Sequence, residues 1–455
     1  MRSSELHLGG WGNYPTYTSD VYRPERWQDV IAVVNEADAS GLIARGLGRS
    51  YGDAALNQDG GILLGTRLNR LLDFDSHAGI VECEAGVVLG DLITLFLPRG
   101  WFLPVTPGTQ YVTLGGAIAA DVHGKNHHCD GSLASFVVDF QLVTGRGEIL
   151  TCSREENRDA FWATVGGMGL TGVILTARLR LRRVPTSYIM VDYLRAQDLD
   201  EVLGHMDTSD ARYQYSVAWI DTVARGGALG RSVLIRGNHA DVDQLSPAQA
   251  RNPLTIAAKF KVSLPFHVPA FVINPRTVGV FNNAYYAKHP ARQGVTCDYE
   301  SFFYPLDSVL NWNRVYGKRG FIQYQVVMEP DSQHRGLIAL LEELSKQPQA
   351  SFLSVLKAFG AGSDGLLSFP KPGYTLALDI PNSGPESIDL VRSLNRIALR
   401  HGGRVYLAKD AYLDPHTFSE MYPQSERFKE IKQTLDPDQH FSSSLARRVG
   451  LVENS

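Results

Sequence analysis

The sequence predicts an α+β chain: a first part of short strands and glycine-rich loops, then a larger part built on an antiparallel sheet flanked by helices. Three observations predict it. Glycine clusters three times within the first 175 residues, at Ala44–Asp53, at Pro107-Gly108-Thr109 running into Leu114–Ala117, and at Gly166–Gly172. Beyond Pro185 the pattern changes to longer strands and helices. At 455 residues the chain also exceeds the ~250–300 at which single cores stop growing, so it divides into two or three domains.

Pro24–Ala39 reads as a helix, with Pro24 near its start, Trp27, Val30, Ile31, Val33 and Val34 at helical spacing, and Gly41 as its stop. Strand-like runs follow at 42–45, 62–65 and 79–84, and Gly90–Phe96 reads as a short helix ended by Pro98 and Gly100. From Phe136 to Arg183, strands alternate with turns and one helix near Arg158–Thr164. The last strand, Val173–Arg183, alternates as Arg-Leu-Arg-Leu-Arg and closes a first domain, 1–184. In a second domain, 185–404, Tyr213–Ile220 and Gly320–Glu329 read as strands of one sheet and Pro372–Pro381 as another strand. Ile338–Lys346 and Ser387–His401 read as helices. Within it, roughly Ala240–Asp298 shows aromatics, prolines and few clear elements, as a long mobile segment would. The C-terminal segment, 405–455, offers a short strand running into Lys409-Asp410 and then a helical end.

Glycine permits close backbone approach and positive φ, so main-chain amides can converge on a phosphate. Three such loops suggest one large diphosphate ligand, a dinucleotide. The Rossmann arrangement fails on local context: Gly46-x-Gly48 follows Leu42-Ile43-Ala44, but Tyr51 holds the third glycine position and Asp53–Gly61 feeds Ile62–Leu64 rather than a helix. A strand–loop–strand cradle fits better. A net charge of −4 with 20% charged residues and no basic stripe argues against nucleic acid. Cys83, Cys129, Cys152 and Cys297 are scattered without C-x-x-C spacing, which argues against a disulfide framework and against a zinc site. Cys129, beside His127 and His128, reads as an ordinary loop thiol. Met1–Pro15 has no apolar targeting core, and no uncharged stretch reaches the ~20 residues that span a bilayer, so a cytoplasmic or membrane-peripheral protein is expected.

The segments resemble the flavin-binding half of the vanillyl-alcohol-oxidase, or PCMH-type, flavoproteins, where FAD lies extended between two small α/β lobes. Gly-Arg-Ser-Tyr-Gly-Asp (48–53), Val-His-Gly-Lys-Asn-His-His (122–128), Phe-Trp-Ala-Thr-Val-Gly-Gly (161–167), Phe-Ile-Gln-Tyr-Gln (321–325) and Ala-Lys-Asp (408–410) are similar, in order, to the decaprenylphosphoryl-β-D-ribose 2′-oxidase family. The resemblance implies a two-lobed FAD domain over 1–184, with the C-terminal segment returning to it. It implies oxidation of the 2′-hydroxyl of a polyprenyl-phosphoryl-β-D-ribose, or a related furanose, to the 2′-keto sugar. That is the first half of a 2′-epimerisation to the arabinose donor of cell-wall arabinan, completed by a separate NAD(P)H-dependent short-chain reductase. An FAD-dependent oxidase of a free sugar or alditol, producing hydrogen peroxide, would share the fold and stays open as the alternative.

By the same resemblance, the first loop contributes Arg45, Gly46, Gly48, Arg49, Ser50, Tyr51 and Gly52 to FAD, and the second Pro107, Gly108, Thr109, Thr113, Gly115, Gly116 and Ala117. The third contributes Gly167, Gly169, Gly172 and Ile174, joined by His123, Gly124, Asn126 and Tyr406. In covalently flavinylated relatives a histidine stands where this chain has Arg49, which cannot attack the flavin, so FAD is expected without a covalent link.

Oxidising a secondary alcohol requires a hydride acceptor and a base for the hydroxyl proton. Lys409, on its short strand beside Asp410, is either a surface lysine or, as the resemblance favours, the catalytic base or anchor of the hydroxyl. His123 sits in Val122–His128, where Gly124 and Asn126 argue against the helix that a metal site would need; no metal is expected. The resemblance puts His123 by the reacting carbon and Lys125 by the substrate phosphate or hydroxyls. Gln323 and Gln325 alternate with Tyr324, so on a strand both face one way, towards sugar hydroxyls or towards solvent. Lys357 interrupts an apolar run and would need an anionic partner such as the substrate phosphate. Trp219 reads as core or as pocket wall, and the resemblance adds Tyr51 to the substrate side. The family pattern has a cysteine where Ala377 stands, an asparagine at Thr375, a tryptophan at Tyr374 and a tyrosine–histidine pair at Phe303-Tyr304.

Leu254–Ile273 is apolar, carries Lys259 and Lys261, and is broken by Pro265 and Pro269. It cannot form a continuous spanning helix. It reads either as core of the second domain or as a loop, with Phe266 and Phe271, that dips into an anionic membrane interface and lids a lipid phosphate.

Overall fold

A computed structural model describes residues 1–37, 40–257, 259–269, 272–331, 333–347, 351 and 353–453. The first glycine loop leaves strand Leu42–Arg45, which pairs in parallel with Gly61–Leu64. Thr16–Tyr22 and then Ser4–Gly9 extend this into a four-stranded sheet. The apolar periodicity gives a helix at Trp27–Asn35, whose Val30, Val33 and Val34 form a core with Leu42, Leu63, Val173 and Phe441. The helix begins later than Pro24 suggests, because the Asp29 carboxylate takes the Arg26 and Glu25 main-chain N–H groups and sets the start at Arg26. Ala39, its expected end, lies outside the described residues.

A second, five-stranded antiparallel sheet runs in the order Leu71–Asp75, Ile80–Glu84, Val173–Arg180, Val137–Val143, Ile149–Ser153. The strand expected over 173–183 breaks at Leu181, which buries its side chain and donates its N–H to Gly79. Arg182–Arg183 then pair with Trp101–Phe102 instead. Helices Leu89–Phe96 and Arg158–Thr164 fall where glycine, proline and apolar spacing put them.

An eight-stranded sheet, antiparallel throughout, follows in the order Arg292–Asp298, Tyr188–Ala196, Ser232–His239, Tyr215–Ile220, Ser354–Phe359, Gly373–Pro381, Phe321–Met328, Arg404–Val405. Helices Leu199–Ser209 and Pro385–Arg400 pack on it, and Arg335–Lys346 packs on the latter. The stretch expected to hold few elements contains a 14-residue helix, Pro275–Lys288, and the edge strand Arg292–Asp298. The local signal for that helix was present: Asn274 caps the Arg276 and Thr277 amides, and Pro275 stands at the first helical position. It lacks an apolar stripe, since only Val278 and Asn282 are buried, so hydrophobic periodicity missed it.

The chain end returns to the glycine-rich half. His440–Ser442 lie beside strand Leu42–Arg45, the Leu42 amide donating to the His440 carbonyl and the Ser442 amide to the Leu42 carbonyl, and Arg448 pairs with Asp53 at 2.7 Å and Asp410 at 2.9 Å. Lys409 does not sit on a strand. The strand ends at Val405, and the Tyr406 carbonyl then accepts from both the Lys409 and Asp410 amides, which curls the chain into a turn.

Candidate active site

The glycine loops and one face of the eight-stranded sheet enclose a cavity of about 780 Å³. Its loop side is lined by Arg45, Gly46, Gly48, Arg49, Ser50 and Tyr51, by Pro107, Gly108, Thr109, Thr113, Gly115, Gly116 and Ala117, and by Gly169, Gly172 and Ile174. Its sheet side carries Trp219, Gln323, Gln325, Lys357 and Ala377. His123, Gly124, Lys125, Tyr406 and Lys409 complete it.

Three residues expected at the cofactor do not line the cavity. Gly52 backs onto the Lys409 turn, where a Cβ would stand 1.7 Å from the Asp410 carbonyl oxygen. Asn126 turns away to donate to Pro104 and Asp130 at 2.8 and 2.6 Å. Gly167 packs on the Ala163 carbonyl, 2.1 Å from where its Cβ would be. Of the positions that depart from the family pattern, Ala377 and Phe303 line the cavity. Tyr374 points to the opposite side and donates to Asp207, Tyr304 bonds Thr106 at 2.5 Å, and Thr375 lies beneath Gln325 at 3.1 Å.

The loop side suits a dinucleotide diphosphate. Gly46 is compelled by close approach, since a Cβ there would meet Thr113 Oγ1 at 2.2 Å, and Gly48 holds φ +64°. The Arg45 guanidinium donates to the Gly9 and Ala55 carbonyls, and burial lowers it to about 10. Arg49 lies over the Trp11 ring at 4.1 Å. Among the described residues neither arginine has an acid within ion-pair distance, which leaves both cations available to an anionic ligand. These residues would hold FAD through its diphosphate, and FAD when bound supplies the hydride acceptor.

The sheet side gathers cations and amides. The Lys125 ammonium donates to the Phe302 carbonyl and lies 4.5 Å from the Phe302 ring; burial lowers it to about 8. Lys357 reaches the Gly124 carbonyl at 3.5 Å, and burial followed by the charges of Lys409 and Lys125 lowers it to about 7. Lys409 stands 5.3 Å from the Tyr51 ring, and burial pushes it down while Asp379 opposes that shift. His123 is held well below its ordinary value, first by burial and then by Lys357, His127 and Lys409, so its imidazole is neutral. Gln325 donates to its Nε2 at 2.9 Å, which assigns the proton to Nδ1, a buried atom without a partner among the described residues. Trp219 lies tilted against Tyr285 of helix Pro275–Lys288, ring centres 4.6 Å apart, and both line the cavity wall.

Sequence reading missed Phe281 and Tyr285 of that helix, the stretch Pro305–Trp312 that closes the cavity, and Asp379 behind Gln323. The helix capping pattern signalled the first. Nothing local signalled the others, whose place depends on sheet order.

Residues 19–153 match the FAD binding domain family, and residues 382–449 match the D-arabinono-1,4-lactone oxidase family. The chain is 39% identical to the decaprenylphosphoryl-beta-D-ribose oxidase of Mycolicibacterium smegmatis over 98% of its own length and 97% of that protein. It is 25% identical to the L-gulonolactone oxidase of Mus musculus, covering 93% and 92% of the two chains. It is 23% identical to the L-gulono-1,4-lactone dehydrogenase of Mycobacterium tuberculosis, covering 96% and 98%. With an FAD-binding fold, glycine loops facing a cation-lined sheet, and near-complete overlap with such a relative, the chain belongs to the decaprenylphosphoryl-β-D-ribose oxidase family of PCMH-type, FAD-dependent oxidoreductases.

Proposed function

We propose that the enzyme oxidises the 2′-hydroxyl of a polyprenyl-phosphoryl-β-D-ribose, or a closely related furanose, to the 2′-keto sugar. The observation that carries this is the convergence of Lys125, Lys357 and Lys409 on one cavity wall, none of them in an ion pair among the described residues. Buried cations call for an anion, and a free sugar or alditol has none. Lys125 and Lys357 bind the phosphate. Lys409, lowered to about 8 by burial, takes the hydroxyl proton. His123, neutral and with Nδ1–H unpartnered among the described residues, orients the reacting carbon, and Gln323 and Gln325 bind sugar hydroxyls. Trp219 and Tyr51 wall the sugar.

The lipid tail leaves past Phe281, Val309 and Leu310, which both line the cavity and are exposed. Phe260, 90% exposed, Phe266 and Val262 continue the apolar surface beside Lys259 and Lys261, which pair with Asp298 and Glu300; this supports peripheral membrane contact for the middle of Leu254–Ile273, while Leu254, Ile256 and Ile273 pack against the core. Phe271 of that segment lies outside the described residues. Among the described residues no helix is long and apolar enough to cross a membrane. A separate NAD(P)H-dependent short-chain reductase completes the epimerisation.

The test is anaerobic bleaching of the bound flavin by polyprenyl-phosphoryl ribose, free ribose and alditols. The phosphoryl-linked sugar should bleach it far faster than the others. Equal or faster bleaching by alditols, with hydrogen peroxide formed in air, would replace this reading with a free-sugar oxidase.

A further inference from the structure

Helix Pro275–Lys288 supplies Phe281 and Tyr285 to the cavity wall, yet it is turned the wrong way round for a core helix. Val280 is 71% and Phe281 45% exposed, whereas the polar Asn282 is buried. Apolar burial contributes little to its seat beyond Val278 and the contact of Tyr285 with Trp219. Polar groups take its place. Asn282 Nδ2 donates at 2.6 Å to Asp221, a buried carboxylate directly after strand Tyr215–Ile220. The other Asp221 oxygen accepts from Arg231 Nε and Nη2 at 2.9 and 2.6 Å, and the same Nη2 donates to Asn283 Oδ1 at 2.6 Å. Arg231 and Arg195 stand 5.3 and 5.0 Å from the Tyr286 ring centre. Arg195 also donates to the Ala287 and His289 carbonyls at the end of the helix, at 2.6 and 3.0 Å.

We propose that Asp221 and Asn282 are positioning residues: their bond fixes the helix on the sheet where Tyr285 meets Trp219, and so sets the substrate side of the cavity. Asp221 is held from the sheet side by Arg231 and by the Val223 amide at 3.0 Å, so its carboxylate is a fixed point. Trp219 stands two residues before it on the same strand, which ties the fixed point to the wall. Apolar contact alone would let the helix slide, because it is non-directional, whereas a hydrogen bond to a fixed carboxylate has one geometry. Without the Asn282 donor the inward face of the helix has no such point, and Tyr285 leaves Trp219. This rests on the reading above that the sugar lies against Trp219.

The experiment uses the FAD-loaded enzyme and Asn282→Leu, which keeps the bulk, removes the donor and leaves Asp221 paired with Arg231. Trypsin should cut after Arg276 and Lys288 about 10-fold faster or more than in the wild type, the factor that a lost hydrogen bond to a charged group gives. Bound FAD should be retained. In anaerobic reduction, KM should rise about 10-fold while kcat stays within about 2-fold, as for a lost binding wall. Should Asn282→Leu lose its flavin, Asn282→Ala, which cannot overpack the site, takes its place with the same expectations. Cleavage at the wild-type rate, or a fall in kcat with KM unmoved, overturns the proposal. The trypsin arm needs no substrate, and the kinetic arm uses whichever sugar bleaches the wild-type flavin, so failure of the phosphoryl-ribose reading leaves this one decidable.

Discussion

Gly52 and the main chain of Asp410 touch so closely that a single added Cβ on the glycine would stand 1.7 Å from the Asp410 carbonyl oxygen. One residue earlier, the Tyr51 amide donates to the Ala408 carbonyl at 2.9 Å. The first glycine loop and the turn carrying Lys409 are thus one unit, although they lie at opposite ends of the sequence. Arg448, bound to both Asp53 and Asp410, braces the unit from behind.

Gly52→Ala should therefore force the two segments apart. We expect a loss of about 1–3 kcal/mol in stability, as for overpacked interiors, and slower substrate-driven flavin reduction. Thermal unfolding and stopped-flow reduction measure the two. An unchanged reduction rate would mean that the loop and turn move independently.

Lys409→Ala should keep FAD bound but slow its reduction by ~10²-fold or more if the lysine accepts the hydroxyl proton. His123→Ala should likewise slow reduction more than it weakens FAD binding. A Lys409 variant that loses its flavin would reveal a structural lysine.

Lys357, lowered to about 7 by burial and by Lys409 and Lys125, loses its charge as pH rises through that value. Attraction for a phosphate is full below it and declines above it. The kcat/KM for a phosphoryl-linked sugar should fall from about pH 7 upward, and Lys357→Met should remove that limb. An identical limb with an uncharged alditol would detach it from phosphate binding.

FAD should be released whole by acid or detergent. Arg49 is engaged by the Leu47 carbonyl and the Trp11 ring, and among the described residues the cavity wall has no cysteine and a single imidazole, His123, already held by Gln325. Flavin fluorescence that stays with the denatured polypeptide would contradict this.

Phe260→Ser with Phe266→Ser should reduce co-sedimentation with anionic liposomes and spare reduction by a short-chain, water-soluble analogue, since both rings are exposed. Equal loss of both, or a wild type that ignores such liposomes, would end the membrane reading.

What the sequence determined by itself was local: the glycine loops, strand Leu42–Arg45, helix Arg158–Thr164, and the alternation that turns Gln323 and Gln325 to one side. These follow from φ preference and side-chain period, which depend on near neighbours alone. The break at Leu181 escaped because a hydrogen bond to the distant Gly79 decided it; the helix Pro275–Lys288 escaped because it lacks the apolar stripe that periodicity reads, and the turn at Lys409 because its two bonds to the Tyr406 carbonyl replace the expected strand. Asp379 shows the limit most clearly. In sequence it is an acid in an apolar run; only the pairing of its strand with Phe321–Met328 sets it behind Gln323, and only the returning chain end brings Lys409 to the same wall. Tertiary structure decided the charge relations, because electrostatic partners are chosen by distance through a buried site and not by separation along the chain.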